Sequence, residues 1–131
     1  MTRAAATGRL LLDTHVLLWW LADGPELSDD LKNQIDTELE VYVSVATVWE
    51  ISIKSSAGKL SIPPTFLEVL RDSGVGELPI RYEHAQQAGQ LPLLHRDPFD
   101  RMLIAQALTE RLTLVTRDAA IHQYDVAVLN A

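Results

Sequence analysis

Apolar residues occur along this chain in short runs, separated by longer segments with helical periodicity. The short runs are typical of buried parallel strands, and they lie at residues 9–12, 41–43, 77–80, 112–116 and 126–129. The longer segments predict helices at about residues 15–23, 28–39, 44–56, 63–72, 82–90 and 98–111, and a helical turn at 119–124. This alternation predicts an α/β fold in which helices cover both faces of a parallel sheet.

Residues suited to helix starts support these boundaries. Thr14, Ser28 and Ser44 are suited to cap the first three helices, and Asp97 followed by Pro98 is a typical start for the last one. The chain has 131 residues, of which 47% are apolar, so it can bury one core. We expect a loose tail at residues 1–8 and a single domain at residues 9–131.

Two aspartates follow predicted strands that lie far apart in the sequence. Asp13 comes directly after the first strand, and Asp118 comes just after the fourth. Ligands of parallel α/β sheets gather at the carboxyl ends of the strands. We therefore expect these two side chains to share one edge of the sheet.

Each acidic residue of interest also has a local explanation. Asp13 and Asp118 can cap the turns that follow them, and Asp100 suits the first turn of a helix, where the helix dipole favours negative charge. Glu50 precedes Lys54 by four residues, which is the favourable order for a surface ion pair. No single acid is decisive, but all four lie at or near strand ends or helix starts.

Four carboxylates in one pocket predict a bound cation. Two carboxylates about 6 Å apart repel by roughly 3 kcal/mol at an effective dielectric constant of 20. Oxygen ligands without sulfur favour Mg²⁺ or Mn²⁺ over Zn²⁺, and the chain has no cysteine. Such a site suits phosphodiester hydrolysis, because a divalent ion makes hydroxide available near neutral pH.

Four segments around these acids resemble the motifs of the PIN-domain family, in particular VapC-type toxins of toxin–antitoxin pairs. In chain order they are LLLDTHVLLWW, SVATVWEISIKSSAGKL, HRDPFDRMLIAQAL and LVTRDAAI, and the resemblance extends from Leu10 to Leu129. It implies a three-layer α/β/α sandwich with a short, mainly parallel five-stranded sheet. It also implies an endoribonuclease that uses Mg²⁺ or Mn²⁺, a homodimer, and an inhibitory antitoxin.

The resemblance assigns roles to particular residues. It implies that the catalytic and metal-binding acids are Asp13, Glu50, Asp100 and Asp118. Thr14 and Thr116 would support them, and Asp97 is either an auxiliary ligand or, as we favour, a helix cap.

The net charge of −7 is unusual for a protein that binds nucleic acid. Bound cations would offset part of this charge. The resemblance also implies an antitoxin with a basic or apolar tail that lies across the site, which would suit an acidic protein. Basic residues near the acidic motifs are the candidates for RNA phosphate contacts, although solvated surface charge is the ordinary role of each: Arg9, Lys54, Lys59, Arg96, Arg101 and Arg117. With no export signal or membrane-length apolar run, we expect a cytoplasmic protein.

Three alternative interpretations stay open at this point. Asp13 could be the nucleophile of a phosphotransferase or phosphatase, or the chain could be a PIN-like binding scaffold without activity. A ribonuclease that needs no metal could instead use histidines, although His15, His84, His95 and His122 share no motif. Three tryptophans could stack bases, but at helical spacing they favour the core or an interface: Trp19, Trp20 and Trp49.

Overall fold

The structure is a computed structural model, and it describes residues 8–131. Its elements in chain order are β1 (Arg9–Leu12), α1 (Thr14–Leu21), α2 (Asp29–Thr37), β2 (Glu40–Ser44), α3 (Val45–Ser56), α4 (Phe66–Asp72), β3 (Gly76–Leu78), α5 (Tyr82–Gln90), α6 (Pro98–Glu110), β4 (Thr113–Thr116), a 3₁₀ turn (Ile121–Gln123) and β5 (Val128–Asn130). The tail predicted at residues 1–8 lies outside the described residues, apart from Gly8. No helix in the described range has the length and apolar character needed to span a bilayer.

The five strands form one sheet in the order β3-β2-β1-β4-β5, and every neighbouring pair is parallel. The predicted α/β class is therefore confirmed, and the sheet is wholly parallel. Because β1 and β4 are neighbours, Leu12 pairs with Val115 at their carboxyl ends. This register brings the residues that follow the two strands together, as predicted for Asp13 and Asp118.

Alternate residues of β1 point to opposite faces of the sheet, and each face packs against its own hydrophobic core. Helices therefore cover the sheet on both sides, which gives the fold three layers. Leu10 and Leu12 pack with apolar residues of α1, α2, α3 and α4 on one face of the sheet. Leu11 packs on the other face with Leu103 and Ile104 of α6. All three leucines of β1 have no exposed surface. A strand buried on both faces reads as a continuous apolar run, and this explains why β1 was predicted with its observed bounds.

Two predicted strands differ from the observed ones by two residues at one end. β3 was expected at residues 77–80 but ends at Leu78, because Pro79 has no backbone N–H with which to continue a ladder. β5 was expected from residue 126 but begins at Val128. The backbone N–H of Val126 donates instead to the carbonyl of Tyr124 in a turn, at 2.9 Å.

Two predicted helix starts were also wrong. α4 begins at Phe66 rather than at Pro63, since a residue that precedes a proline is disfavoured in the helical conformation and Pro64 follows Pro63. The cap of α1 is Asp13 rather than Thr14: the Asp13 carboxylate accepts a hydrogen bond from the Val16 N–H at 2.8 Å. Thr14 is the first helical residue, which leaves its hydroxyl free for another partner.

Candidate active site

A cavity of about 350 Å³ opens at the carboxyl end of β1 and β4. It is bounded by the residues after these two strands, by α3, and by the start of α6. All four predicted acids lie on its wall, together with residues from the same segments: Asp13, Thr14, His15, Trp19, Glu50, Lys54, His95, Asp97, Asp100, Arg117 and Asp118.

Asp13 is held rigidly at the end of β1. It is only 7% exposed, and its backbone N–H donates to the carbonyl of Val115 at 3.1 Å. Burial raises the pKa of its carboxyl, and the nearby Asp118 raises it further, while hydrogen bonds from the Thr116 hydroxyl and the Val16 N–H and the proximity of His15 lower it. Asp13 therefore combines a helix cap with a place on the cavity wall.

Glu50 reaches the cavity from the middle of α3, although it is only 5% exposed. The Thr14 hydroxyl donates to Glu50 Oε1 at 2.7 Å, and Lys54 Nζ donates to Glu50 Oε2 at 2.7 Å. The ion pair with Lys54 that the sequence predicted is present, but it is largely buried at the glutamate. The four-residue spacing predicted a surface pair, but both side chains line the cavity, and Glu50 also contacts Thr14 there.

Asp100 lies in the first turn of α6, behind the helix cap. Asp97 Oδ1 accepts hydrogen bonds from the backbone N–H groups of Phe99 and Asp100, at 2.8 and 3.3 Å, which confirms Asp97 as the cap. Burial raises the pKa of Asp100 to about 6; the hydrogen bond from His95 opposes this shift, and the charges of Asp97 and Asp118 add to it. A carboxyl with this pKa is costly to ionise, so a cation beside it would be strongly favoured.

Asp118 has a local role and also a place in the cavity. Its carboxylate accepts from the Ala120 N–H at 2.9 Å, as the capping interpretation predicted. Its backbone N–H donates to the Thr116 hydroxyl oxygen at 3.1 Å. Thr116 thus links Asp118 to Asp13, and it supports the site in the same way as Thr14 supports Glu50.

The tightest cluster of metal-ligating side chains contains a histidine. Donor atoms of His95, Asp100 and Asp118 all lie within 4.8 Å of one another, and among the described residues no other group of three such side chains meets this limit. His95 Nε2 lies 2.7 Å from Asp100 Oδ2 and 3.6 Å from Asp118 Oδ2. Asp13 and Glu50 line the same cavity outside this cluster.

The sequence predicted no role at the site for His95. His95 was grouped with three other histidines that share no motif, because it lies in the loop before α6, five positions before Asp100. The segment HRDPFDR carries both residues, but their contact depends on the path of the loop. His84, by contrast, is fully buried elsewhere: its Nδ1 accepts from the Arg81 N–H at 3.0 Å, and its Nε2 contacts Glu110 at 2.7 Å.

The candidate phosphate-binding residues divide into two groups. Lys54 and Arg117 line the cavity, and Arg96 is exposed beside it in the loop that carries His95. Arg9 lies at the amino end of β1, on the opposite edge of the sheet from the cavity. It contacts Glu40 at 3.2 Å and the Glu110 carbonyl at 2.7 Å, so its position argues against a phosphate contact at this site.

The Arg101 guanidinium is occupied by hydrogen bonds within the fold rather than open to a ligand. Its guanidinium donates to the carbonyls of Ala88 and Leu91 at 2.8 and 3.0 Å, and to those of Pro92 and His95 at 3.1 and 3.3 Å. These bonds tie α6 to the end of α5 and to the loop that follows it. They argue against the predicted phosphate contact, because the donors that a phosphate would need are already used.

We expect Arg101→Met to lower the free energy of unfolding by about 2 kcal/mol, since it leaves carbonyls in this loop without a charged donor. Urea denaturation measures this change. Arg96→Met is the matched control, because Arg96 is exposed and lies in the same loop. Equal stability of the two variants would contradict the structural role of Arg101.

The tryptophans have different environments. Trp19 and Trp20 are partly buried against the hydrophobic core that α1 to α4 form on one face of the sheet, and Trp20 Nε1 donates to Asp36 at 2.9 Å. The Arg117 guanidinium lies 4.3 Å from the centre of the Trp19 ring, at the cavity wall. Trp49 is 61% exposed and meets Phe99 edge-on, so it is the tryptophan most accessible to a partner.

Comparison with known proteins gives a family match over almost the whole chain. The model of the PIN domain matches residues 10–127. Ribonuclease VapC22 of Mycobacterium tuberculosis (strain ATCC 25618 / H37Rv) is 27% identical over 118 residues, which are 88% of this chain and 91% of that protein.

Solved structures share the fold at low sequence identity. A DNA-bound VapBC complex from Salmonella typhimurium matches with a TM-score of 0.70 and 17% identity, over 93% of this chain and 97% of the other. VapBC2 from Rickettsia felis, bound to a promoter DNA fragment, matches with a TM-score of 0.70 and 15% identity, over 93% and 98%. FitAcB from Neisseria gonorrhoeae matches with a TM-score of 0.63 and 23% identity, over 92% and 96%.

Proposed function

This chain belongs to the PIN domain family, and we propose on that basis that it is a metal-dependent endoribonuclease acting as the toxin of a toxin–antitoxin pair. One observation carries the proposal. The acids of all four family-like segments, Asp13, Glu50, Asp100 and Asp118, line one cavity, although they come from positions more than a hundred residues apart.

The side chains of the cavity suit a hard divalent cation. Their donors are mainly carboxylate oxygens, and burial raises the pKa of both Asp13 and Asp100, so the ionised cluster is unfavourable without a compensating charge. Asp13, Glu50, Asp100 and Asp118 are the residues that would hold Mg²⁺ or Mn²⁺. Such an ion, when bound, supplies Lewis acidity for phosphodiester hydrolysis.

The protein's own residues would position the reactants. Thr14 and Lys54 fix both oxygens of Glu50, and Thr116 fixes Asp13, so that these carboxylates need little reorganisation to orient an attacking water. Arg96 and Arg117 are our candidates for RNA phosphate contacts near the cavity, although the Arg117 guanidinium also donates to the carbonyls of Glu26 and Ala131 and would have to share its donors. The proposed function gives Asp13 the role of a metal ligand rather than that of a phosphotransferase nucleophile, with its carboxylate oriented by the Val16 N–H and by Thr116.

The toxin role is supported by the relatives and by the surface. VapC22 is named a ribonuclease, and the similar solved structures include two DNA-bound VapBC proteins and FitAcB. Three mainly apolar grooves of about 310, 350 and 420 Å³ flank α4, away from the acids. We propose that an antitoxin covers this apolar surface, and that the protein is cytoplasmic and dimeric.

A cleavage assay on structured RNA tests the nuclease. We expect cleavage with Mg²⁺ or Mn²⁺, no cleavage after chelation, and recovery when the metal is restored. Asp13→Asn should abolish cleavage while the circular dichroism spectrum is retained. Cleavage that survives chelation would point to the histidines instead. Absence of both cleavage and metal binding would favour the scaffold interpretation.

A further inference from the structure

His95 is placed as a cavity residue by bonds that fix the loop around it. The Tyr124 hydroxyl accepts from the backbone N–H groups of Leu94 and His95, at 3.1 and 2.9 Å, and donates to the Pro92 carbonyl at 2.6 Å. Tyr124 is only 4% exposed. Arg101 donates to the His95 carbonyl at 3.3 Å and to the Tyr124 hydroxyl at 3.4 Å.

These hydrogen bonds hold the His95 imidazole within a narrow range of positions. A loop backbone bonded through a buried hydroxyl and a guanidinium has little freedom to move, so the ring is pre-organised rather than drawn in from solvent. The His95 side chain is 20% exposed, and its Nε2 is the nitrogen that lies between Asp100 and Asp118. An imidazole nitrogen between two carboxylates is a donor set that transition ions bind well.

We propose that His95 Nε2 is a ligand of the divalent ion, together with Asp100 and Asp118. This inference rests on the metal site of the proposed function and specifies its ligands further. Imidazole nitrogen suits first-row transition ions, whereas Mg²⁺ is a hard ion with a strong preference for oxygen. The site should therefore bind Mn²⁺ in preference to Mg²⁺, and more so than an all-carboxylate site would.

Pulsed electron paramagnetic resonance of Mn²⁺ bound to the full chain tests this directly. We expect a ¹⁴N coupling typical of direct imidazole ligation, and a changed coupling when the histidines are labelled with ¹⁵N. His95→Gln should abolish the coupling and lower the affinity for Mn²⁺ by at least about 10-fold, with a smaller loss for Mg²⁺. Calorimetric titration with each metal measures both affinities.

His15→Gln is the matched control, because His15 is the other histidine on the cavity wall. It should retain the nitrogen coupling, and loss of the coupling in this variant instead would overturn the assignment to His95. The coupling is first measured in the unmodified protein, so the detection of a histidine ligand does not depend on the folding of either variant, and the two variants then assign it to one histidine.

The outcomes also separate this inference from the proposed function. Mn²⁺ that binds without a nitrogen coupling would show that His95 only hydrogen-bonds to Asp100, and the carboxylate site would stand. Absence of binding by both Mn²⁺ and Mg²⁺ would overturn the metal site and the His95 ligand together.

Discussion

Replacing Asp100 by asparagine is expected to abolish RNA cleavage and, in the absence of metal, to stabilise the folded protein at neutral pH. The loss of activity follows from removing a charged ligand at a site where a metal supplies several kcal/mol of transition-state stabilisation. About 4 kcal/mol corresponds to a loss of roughly 10³-fold. Initial cleavage rates at saturating Mn²⁺ measure this effect.

The gain in stability follows from the raised pKa of Asp100. In the folded protein this pKa is about 6, against an ordinary value of 3.8, mainly because the carboxyl is buried. Between these two values the folded state keeps a proton that the unfolded chain has released, so the wild-type protein loses stability as the pH rises through this window. The Asp100→Asn side chain does not ionise and carries no such cost, and we expect a gain of roughly 1–3 kcal/mol above pH 6.

Urea denaturation with a chelator, at several pH values, measures this gain. The advantage of Asp100→Asn over the wild type should shrink as the pH falls from 7 toward 4. Asp125→Asn is the control, because Asp125 is exposed and does not line the cavity. If Asp100→Asn is instead less stable than the wild type at pH 7, the Asp100 carboxylate serves the fold rather than a ligand.

Replacing Lys54 by methionine is expected to destabilise the metal-free protein by roughly 2 kcal/mol. The Glu50 side chain is only 7% exposed, and without Lys54 it keeps a single neutral donor, the Thr14 hydroxyl. Removing one partner of a buried ion pair leaves an uncompensated charge, which costs about 3–5 kcal/mol for a fully buried pair. The Lys54 side chain is 40% exposed, so we expect a smaller cost.

A double-mutant cycle with Glu50→Gln tests this explanation. If the buried charge causes the loss, the double variant should recover much of the stability that Lys54→Met alone loses. Lys59→Met is the matched control, because Lys59 is exposed in the same segment and should change stability by less than about 0.5 kcal/mol. Equal losses of stability in Lys54→Met and Lys59→Met would show that the Glu50–Lys54 pair is an ordinary surface contact.

The Lys54→Met variant also connects stability to metal binding. A divalent cation near Glu50 would supply the positive charge that Lys54→Met removes. We therefore expect Mn²⁺ to stabilise this variant more than the wild-type protein, which thermal denaturation with and without the metal measures. An equal shift in both proteins would place the ion away from Glu50.

The alternating pattern along the chain was sufficient to predict the fold. Strand β1 could be located because a strand buried on both faces is apolar at every position, and Leu10, Leu11 and Leu12 have no exposed surface. The parallel arrangement followed from the helices between the strands. Segment ends were less predictable: Pro63 suggested a helix start that the adjacent Pro64 prevents.

The acidic residues could be selected from local sequence, because each lies within a segment that resembles a family motif. Local sequence also indicated the caps formed by Asp13 and Asp118 and the Glu50–Lys54 pair, but not the contacts between distant segments. Asp13 rather than Thr14 caps α1, and this frees the Thr14 hydroxyl to reach Glu50, thirty-six residues away in the chain. Such contacts depend on how helices pack across the sheet, and their partners are distant in sequence.

His95 and Arg101 show most clearly what only the tertiary structure decided. Near acidic motifs, an arginine is a reasonable phosphate contact and a scattered histidine is unremarkable. In the folded chain, Arg101 donates to backbone carbonyls at the end of α5, and the path of the loop that follows brings His95 between two aspartates. Periodicity determines which face of an element is buried, but the path of an irregular loop depends on long-range hydrogen bonds that no periodic pattern encodes.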